Sequence, residues 1–192
     1  YLSAKKLKQL EPAIRTDNIA AGFEYSDGIL YDNDSRFVFN FVRSSMDNGC
    51  VAANYLESLG SRRVNDLWVT TVKDHSCGEQ FEIRSKALIN ACGPYVDKHN
   101  ASTGQTTTHR HLFSKGIHLV VDRITDSSKV LTFFASDGRL FFVIPMGSRT
   151  CIGTTDTQVE DPQVTVTDED RKFVLNNINH LLELGRPFTV DD

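Results

Sequence analysis

Two residues whose side chains could transfer a proton or bind an anion stand at the start of apolar segments in the central part of the chain. His118 stands directly before the apolar run 119–121, and Arg139 stands directly before the apolar run 140–144. A buried imidazole or guanidinium group is costly unless it is paired, so its place at the start of a strand needs a reason. One reason is a site for an anionic substrate at the mouth of a sheet. The alternative is that strand ends reach solvent and tolerate polar residues, and the pattern alone favours this alternative.

Other catalytic patterns are weak or absent in the sequence. Cys92 precedes Gly93 and Pro94 at the end of an apolar run, but no histidine can be assigned to it, so a structural thiol is the better interpretation. His109 and His111 have i, i+2 spacing without a third ligand nearby, so no metal is expected. The sequence contains no G-x-S-x-G, no P-loop lysine motif and no G-x-G-x-x-G. It therefore shows no complete nucleotide site of its own.

Composition limits the classes of protein to consider. The chain has 192 residues, 40% hydrophobic content and a net charge of −4, which is typical of a globular protein with one ordinary domain or two small ones. Basic residues are scattered, so nucleic acid is not an expected partner. No apolar run is long enough to span a membrane, and no signal peptide is expected. The four widely spread cysteines indicate a reducing compartment.

Helices are predicted from capping residues and from apolar spacing. The expected first and last boundary residues are Ser3 and Pro12, Asp32 or Asp34 and Gly49, and Thr167 and Gly185. A shorter helix is expected over 95–99, with Pro94 at its first position. Two apolar stripes are predicted to be core faces: Phe37, Val38, Phe41, Val42 and Met46, and Phe173, Val174, Ile178, Leu181 and Leu182.

Strands are predicted where apolar residues alternate or form short runs. The expected ranges are 21–25, 29–31, 50–56, 67–72, 81–83, 87–91, 115–121, 140–145 and 151–156, with a polar turn at 60–65. The run 87–91 lacks alternation, as a strand covered on both faces of a parallel sheet does. Ligands of such sheets gather at the carboxyl ends of strands, here near 91–93. The expected fold class is mixed, α/β or α+β.

Several segments together resemble the middle of the FAD-dependent glycerol-3-phosphate dehydrogenases. They are 25–28, 34–38, 48–55, 90–97, 115–121, 137–145 and 152–156. The segment 90–97 is similar to Asn-Ala-Thr-Gly-Pro-Trp-Val-Asp, which many amino-acid and sarcosine oxidases share. Lys-Gly-x-His at 115–118, Arg139 and Ile-Gly-Thr-Thr-Asp at 152–156 are together more specific. The resemblance covers nearly the whole chain.

This resemblance implies a bipartite flavoprotein. One part is a Rossmann-like FAD domain, and the other is a substrate domain whose antiparallel or mixed sheet lies over the flavin. Residues 1–192 are expected to be a central fragment of the oxidoreductase. Within it, 20–108 and 150–192 are expected to mix both domains, and 109–150 to form the substrate-domain sheet.

For the substrate, the resemblance implies roles for three residues. His118 is the candidate acid/base that takes the C2 hydroxyl proton of glycerol 3-phosphate, a task that suits an imidazole near neutral pH. Arg139 is the candidate ligand of the substrate phosphate, because a planar guanidinium fork binds phosphate well. Lys115 adds positive charge near that phosphate, or else it is a solvated lysine at the start of a strand.

For the cofactor, the resemblance implies backbone contacts. Cys92 and Gly93 are expected to lie along FAD, and Leu56 is expected to meet the adenine edge. Cys92 replaces the usual threonine of the family, which puts a side-chain hydroxyl contact at this position in doubt. Tyr95 replaces the usual tryptophan.

The implied activity is oxidation of sn-glycerol 3-phosphate to dihydroxyacetone phosphate, with hydride transfer to FAD and electrons passed to quinone. The alternatives are a glycerol-phosphate oxidase that uses oxygen, an oxidase of the same fold for another substrate, and a non-catalytic binding module. The fragment alone is expected to be inactive and colourless. The expected location is cytoplasmic, peripheral to the inner membrane in a bacterium, or mitochondrial in a eukaryote. A homo-oligomer is compatible with the resemblance.

Overall fold

The computed structural model describes residues 1–28, 30 and 33–192, and these form two compact units. The first unit combines Tyr1–Tyr25 with Leu112–Asp192, and the second is Ser26–His111. The ranges 109–150 and 150–192, which the sequence analysis separated, therefore fold largely together. Assigning either unit to cofactor or substrate stays a prediction.

The helices and strands are as follows, in chain order. The helices are α1 (Ala4–Leu10), α2 (Asp34–Asp47), α3 (Val96–Ser102) and α4 (Asp168–Leu181), and a 3₁₀ turn covers Gly93–Tyr95. The strands are β1 (Leu2–Ser3), β2 (Ala21–Gly22), β3 (Leu56–Val64), β4 (Leu67–Asp74), β5 (Gln80–Ser85), β6 (Phe113–Lys115), β7 (His118–Asp122), β8 (Leu131–Phe134), β9 (Leu140–Met146), β10 (Arg149–Gly153) and β11 (Thr157–Val159). A mixed α/β fold with antiparallel sheets is thus confirmed.

The first unit is built on a four-stranded antiparallel sheet in the order β7-β10-β9-β8. Two further pairs, β1 with β2 and β6 with β11, are also antiparallel. The inner face of the sheet packs with α4 into one core, whose most deeply buried apolar members are Phe141, Val143, Ile152, Val174, Ile178 and Leu182. Burial of each such side chain contributes roughly 1.5–3 kcal/mol, so this core fixes the sheet.

Helix α4 confirms the prediction at its start. Thr167 accepts a hydrogen bond from the Asp170 N–H, and the Asp170 carboxylate accepts one from the Thr167 N–H, which together form a capping box. The helix ends at Leu181, because Leu182 has extended backbone, so Gly185 lies beyond the true end. The predicted N-cap of α1 is also confirmed, since the Ser3 hydroxyl accepts from the Lys6 N–H.

The second unit contains the meander β3-β4-β5. The turn between β3 and β4 is Asn65-Asp66, where both residues have positive φ, so the turn predicted over 60–65 was wrong. Gly60 instead lies inside β3 at a register shift, where a Cβ would meet the Ser102 carbonyl oxygen at 3.0 Å. A bulge at a glycine explains why the sequence pattern suggested a turn. The strand predicted over 50–56 was also wrong, because β3 begins only at Leu56.

Two further predictions in this unit were wrong. Residues 87–91 form no strand, and the strand pairs among the described residues are all antiparallel. The apolar stripe of α2 is not a core face here, since Phe37, Phe41 and Met46 are 49%, 62% and 50% exposed. An apolar helix face is buried only when another apolar surface packs against it, and the sequence pattern of the helix does not show whether such a surface exists.

Smaller boundary differences complete the comparison. Asn33 caps α2 by accepting from the Arg36 N–H, and Asp34 is the first helical residue. Asp32, the other predicted cap, lies outside the described residues, as do Ile29 and Tyr31 of the strand predicted over 29–31. The strand predicted over 21–25 is limited to β2. In the part of the chain that the structure describes, no helix has both the length and the apolar character needed to cross a membrane.

Candidate functional site

His118 lies on the outer face of the four-stranded sheet, at the first position of β7. It pairs with Gly153 of β10, which in turn pairs with Phe142 of β9. Its side chain is exposed. A Cβ added to Gly153 would lie only 2.9 Å from Cδ2 of His118 and 2.7 Å from the Ile117 carbonyl oxygen. The imidazole therefore rests against bare backbone, a place that only a glycine leaves open.

The outer face of this sheet is open and largely apolar. Strand residues alternate between the two faces of a sheet, so the outer face also carries Val120, Phe134, Leu140 and Met146. They are 57%, 73%, 49% and 56% exposed. An exposed apolar surface with an imidazole at its edge is suited to a ligand that covers the sheet and exchanges a proton there.

Lys115 is a buried lysine at the end of β6. Its Nζ lies 2.5 Å from Oδ2 of Asp170, and the two side chains are only 9% and 6% exposed. Burial pushes the pKa of the Asp170 carboxyl upward, but the hydrogen bonds from Lys115 and Thr167 outweigh burial and leave that pKa below its usual range. The alternative of a solvated strand-start lysine is therefore wrong. The ammonium group is already paired with a carboxylate.

Arg139 precedes β9 and turns towards α4. Its guanidinium group pairs with Asp137, Nη2 to Oδ2, at 2.6 Å, and lies 5.0 Å from the ring centroid of Phe173. Burial pushes the pKa of Asp137 upward, and the hydrogen bonds from Arg139 hold it below the usual range. Asn177 of α4 also supports this turn, by accepting from the Ser136 N–H at 2.8 Å.

Lys115 and Arg139 line one cavity of about 430 Å³. Its lining residues are Lys115, Asp137, Arg139, Thr155, Thr157, Thr167, Glu169, Asp170 and Phe173. Three carboxylates thus face two cations, so this cavity carries no net positive charge for a phosphate. His118 is not among the lining residues.

Arg139 and His118 lie at the same end of the sheet but are not neighbours, and a common ligand for them stays a prediction. Phe142 of β9 and His118 of β7 both pair with Gly153 of β10, so they lie level with each other, two strands apart. Arg139 lies three residues before Phe142. Strand geometry converts these steps to roughly 10 Å along β9 and roughly 10 Å across the sheet, so the Cα atoms are roughly 14 Å apart. The Arg139 guanidinium also packs on α4, at the inner face, whereas His118 lies on the outer face.

In the second unit, Cys92 and Gly93 form an exposed backbone turn. Gly93 has φ +52° at the start of the 3₁₀ turn, and a Cβ there would meet no atom within 4 Å. Asn90 holds the turn, since its side chain accepts from the Cys92 N–H and donates to the Val96 carbonyl oxygen. This open backbone fits a bound group that approaches it closely, as the expected contact with FAD requires.

Leu56 occupies a different part of the second unit. It is half-buried at the first position of β3, where it pairs with Asp74 of β4. The carbonyl oxygen of the preceding residue, Tyr55, accepts from the His75 N–H at 2.9 Å. Its predicted contact with the adenine edge stays a prediction.

Two contributors to the site in the first unit were not predicted from the sequence. Asp170 pairs with Lys115 across 55 positions of sequence, and no local pattern indicates such a pair. Gly153 was noted only as part of a motif, although its lack of a side chain makes room for His118. A glycine between an apolar strand and a polar turn was the available signal.

Comparisons with known proteins give one consistent result. The family model described as DAO, FAD dependent oxidoreductase, matches residues 1–189. The aerobic glycerol-3-phosphate dehydrogenase of Staphylococcus epidermidis is 29% identical over 94% of this chain and 33% of its own length. The alpha-glycerophosphate oxidase of Streptococcus pneumoniae is 30% identical over 100% of this chain and 32% of its own length. The mitochondrial glycerol-3-phosphate dehydrogenase of Bos taurus is 29% identical over 94% of this chain and 26% of its own length.

A solved structure agrees with the sequence relatives. The glycerol-3-phosphate dehydrogenase from Bacillus halodurans, complexed with FAD, superposes with a TM-score of 0.85 at 29% identity. The match covers 100% of this chain and 39% of that chain. The chain thus spans about a third of the length of the relatives that it matches.

Proposed function

We propose that this chain, which belongs to the FAD dependent oxidoreductase family, is part of an enzyme that oxidises sn-glycerol 3-phosphate to dihydroxyacetone phosphate. The similar dehydrogenases and oxidase support this substrate. The observation that carries the proposal is the position of His118, an exposed imidazole seated on Gly153 at the edge of an open apolar sheet face. The activity belongs to the whole protein, of which this chain supplies a part.

The chemical role that we assign to His118 is proton transfer. Oxidation of a secondary alcohol removes the hydroxyl proton and the hydrogen on the same carbon, the latter with its electron pair. His118 would accept the proton of the C2 hydroxyl, which keeps negative charge from building up on that oxygen as the ketone forms. FAD, when bound, would supply the acceptor for the hydride. A ligand that covers the apolar outer face would exclude water from the reacting atoms beside His118.

FAD would be held in part by the exposed turn at Cys92 and Gly93. An oxygen-rich ligand can approach this backbone because Gly93 has no side chain and open space lies beside it. Leu56 remains a proposed backbone contact to the adenine. The structural neighbour from Bacillus halodurans, which is complexed with FAD, supports FAD as the cofactor.

An oxidase is the second candidate function, and the Streptococcus pneumoniae relative favours it. Both candidates share the reductive half of the reaction and differ in the electron acceptor. Assaying the whole protein for hydrogen peroxide and for reduction of a quinone analogue separates them. Peroxide formed in proportion to substrate would support the oxidase, and reduction of the quinone analogue without peroxide would support the dehydrogenase.

The cellular setting follows from the same proposal. The relatives include bacterial and mitochondrial proteins. A quinone acceptor would require the whole protein to reach a membrane surface, so we propose peripheral association with the bacterial inner membrane or its mitochondrial counterpart. A homo-oligomer remains part of the proposal.

For Arg139, we propose a structural role and keep the phosphate role as the alternative. Replacing it by Ala in the whole protein should lower Tm slightly, because the partly exposed pair with Asp137 and the contact with Phe173 are lost. The KM for glycerol 3-phosphate should change by no more than about threefold. Arg171→Ala, which removes an exposed i, i+3 pair with Asp168, is the matched control. A rise in KM of about tenfold or more, seen only for Arg139→Ala, would support the phosphate role.

For Gly153, we expect substitution by Ala to reduce turnover by about 10- to 100-fold, because the new Cβ would clash with the Ile117 carbonyl oxygen and with the His118 imidazole and would displace both. The measurement is kcat of the whole protein with saturating glycerol 3-phosphate. Gly185→Ala is the control, since a Cβ at Gly185 meets nothing within 4 Å. Equal kcat values for the two variants would show that the close contact of Gly153 with His118 does not matter for the reaction.

A further inference from the structure

The chain changes its strand partners immediately before His118. Lys115, at the end of β6, pairs with Thr157 of β11, whereas His118, at the start of β7, pairs with Gly153 of β10. Two residues, 116–117, lie between the pairs on one side, and three, 154–156, lie between them on the other. A regular ladder cannot continue across unequal segments. The backbone N–H and C=O groups of these segments therefore need other hydrogen-bond partners. The positions of those partners determine where β7 starts, and so where His118 lies.

Thr155 supplies those partners with its side chain. Its Oγ1 accepts from the Ile117 N–H at 2.9 Å and donates to the Lys115 carbonyl oxygen at 3.4 Å. The residue is only 4% exposed, so water does not replace these bonds readily. One hydroxyl thus bridges the end of β6 and the residue that precedes His118.

The neighbouring backbone is packed too closely to move independently. A Cβ at Gly116 would meet Oγ1 of Thr154 at 2.8 Å and the Thr155 carbonyl oxygen at 3.1 Å. Ile117 itself is 6% exposed and belongs to the core. The backbone on both sides of the hydroxyl bridge is therefore fixed, and the bridge holds the register between them.

We propose that Thr155 is a positioning residue for His118. Its buried hydroxyl fixes the backbone position of residues 115–117. That backbone position determines the distance between the His118 imidazole and Gly153. Thr155 touches no substrate in this role, and it acts only through the placement of His118. The inference rests on the proposed function, because it assumes that His118 transfers a proton during turnover.

The test uses three variants of the whole, FAD-loaded protein beside His118→Gln. Thr155→Val keeps the shape and removes the hydroxyl, and Thr155→Ser restores it. Thr150→Val is the matched control, because Thr150 is 0% exposed, lies on β10 and accepts from the Ile124 N–H at 3.1 Å. Each variant is measured for Tm, kcat, KM and the primary isotope effect on kcat with substrate deuterated at C2.

We expect Thr155→Val and Thr150→Val to lower Tm by similar amounts, since each leaves one backbone N–H without its side-chain partner. Only Thr155→Val should lower kcat, by about 10- to 100-fold with little change in KM, because a misplaced base slows the chemical step. Its isotope effect should rise for the same reason. Thr155→Ser should recover most of kcat.

The outcomes separate the two claims. Equal kcat and isotope effects for Thr155→Val and Thr150→Val, beside an inactive His118→Gln, would overturn the positioning role and leave the proposed function standing. Full turnover in His118→Gln would overturn the proton-transfer role of His118, and the positioning role with it. No turnover of glycerol 3-phosphate by the unchanged protein would overturn the proposed function. A kcat loss in Thr155→Val that Ser does not rescue would also overturn the role of the hydroxyl.

Discussion

Replacing His118 by Gln in the whole protein should lower kcat with glycerol 3-phosphate by about 10²- to 10⁴-fold, the range that general acid/base groups contribute. Glutamine is similar in size to histidine and stays neutral, so it cannot accept the hydroxyl proton. KM should change much less, because the substrate is bound by other groups. Steady-state kinetics normalised to bound FAD give both quantities.

The control for this substitution is His180→Gln. His180 is an exposed histidine in the last turn of α4, in the same unit as His118. The chemical change is identical, and no role in proton transfer is assigned to His180. Comparable losses in the two variants would mean that the effect comes from a general loss of structure and not from the position of His118.

The second large effect concerns stability. Lys115→Met should lower the unfolding free energy by about 3–5 kcal/mol, because it leaves the carboxylate of Asp170 buried without its cation. The prediction distinguishes two roles for Lys115. A structural lysine changes unfolding and leaves KM unchanged, whereas a phosphate ligand raises KM at unchanged stability. Urea unfolding of the whole protein and steady-state kinetics measure the two effects.

The pH dependence of this loss has a definite sign. The pKa of Asp170 is lowered in the folded protein, so its ionised form stabilises the fold above the unfolded pKa of about 3.9. That stabilisation is lost as pH falls below about 4 and through the folded pKa. The difference between Lys115→Met and the unchanged protein should therefore be full near neutral pH and shrink in acid. Lys172→Met, at an exposed lysine of α4, should show no such difference at any pH.

Sequence predicted those parts of the fold that depend on neighbouring residues. The start of α4 follows from Thr167 and Asp170, which satisfy each other's backbone groups within one helical turn. The strand at 87–91 and the core face of α2 depended instead on partner surfaces that the local sequence does not specify. A periodic pattern indicates that a face can be buried, but it does not supply the partner that buries it.

In the candidate site too, local features could be predicted from the sequence, and contacts between distant segments could not. His118 was identified by resemblance, and its position on an open sheet face, beside Gly153, required the strand register. The pair of Lys115 with Asp170 could not be predicted, because the two residues meet only when β6 packs against the start of α4. Grouping Arg139 with His118 was reasonable for two strand-start residues. The register separates them, because Arg139 precedes β9, which lies two strands away from β7, and its guanidinium group contacts Phe173 at the inner face.

The most direct test of the proposed function is a single turnover under anaerobic conditions. The whole protein with bound FAD is mixed with sn-glycerol 3-phosphate, and dihydroxyacetone phosphate is measured over time for the unchanged protein and for His118→Gln. The account predicts one equivalent of product per bound FAD, formed at least about 100-fold more slowly in the variant. No product from the unchanged protein, or equal rates for both proteins, would contradict it.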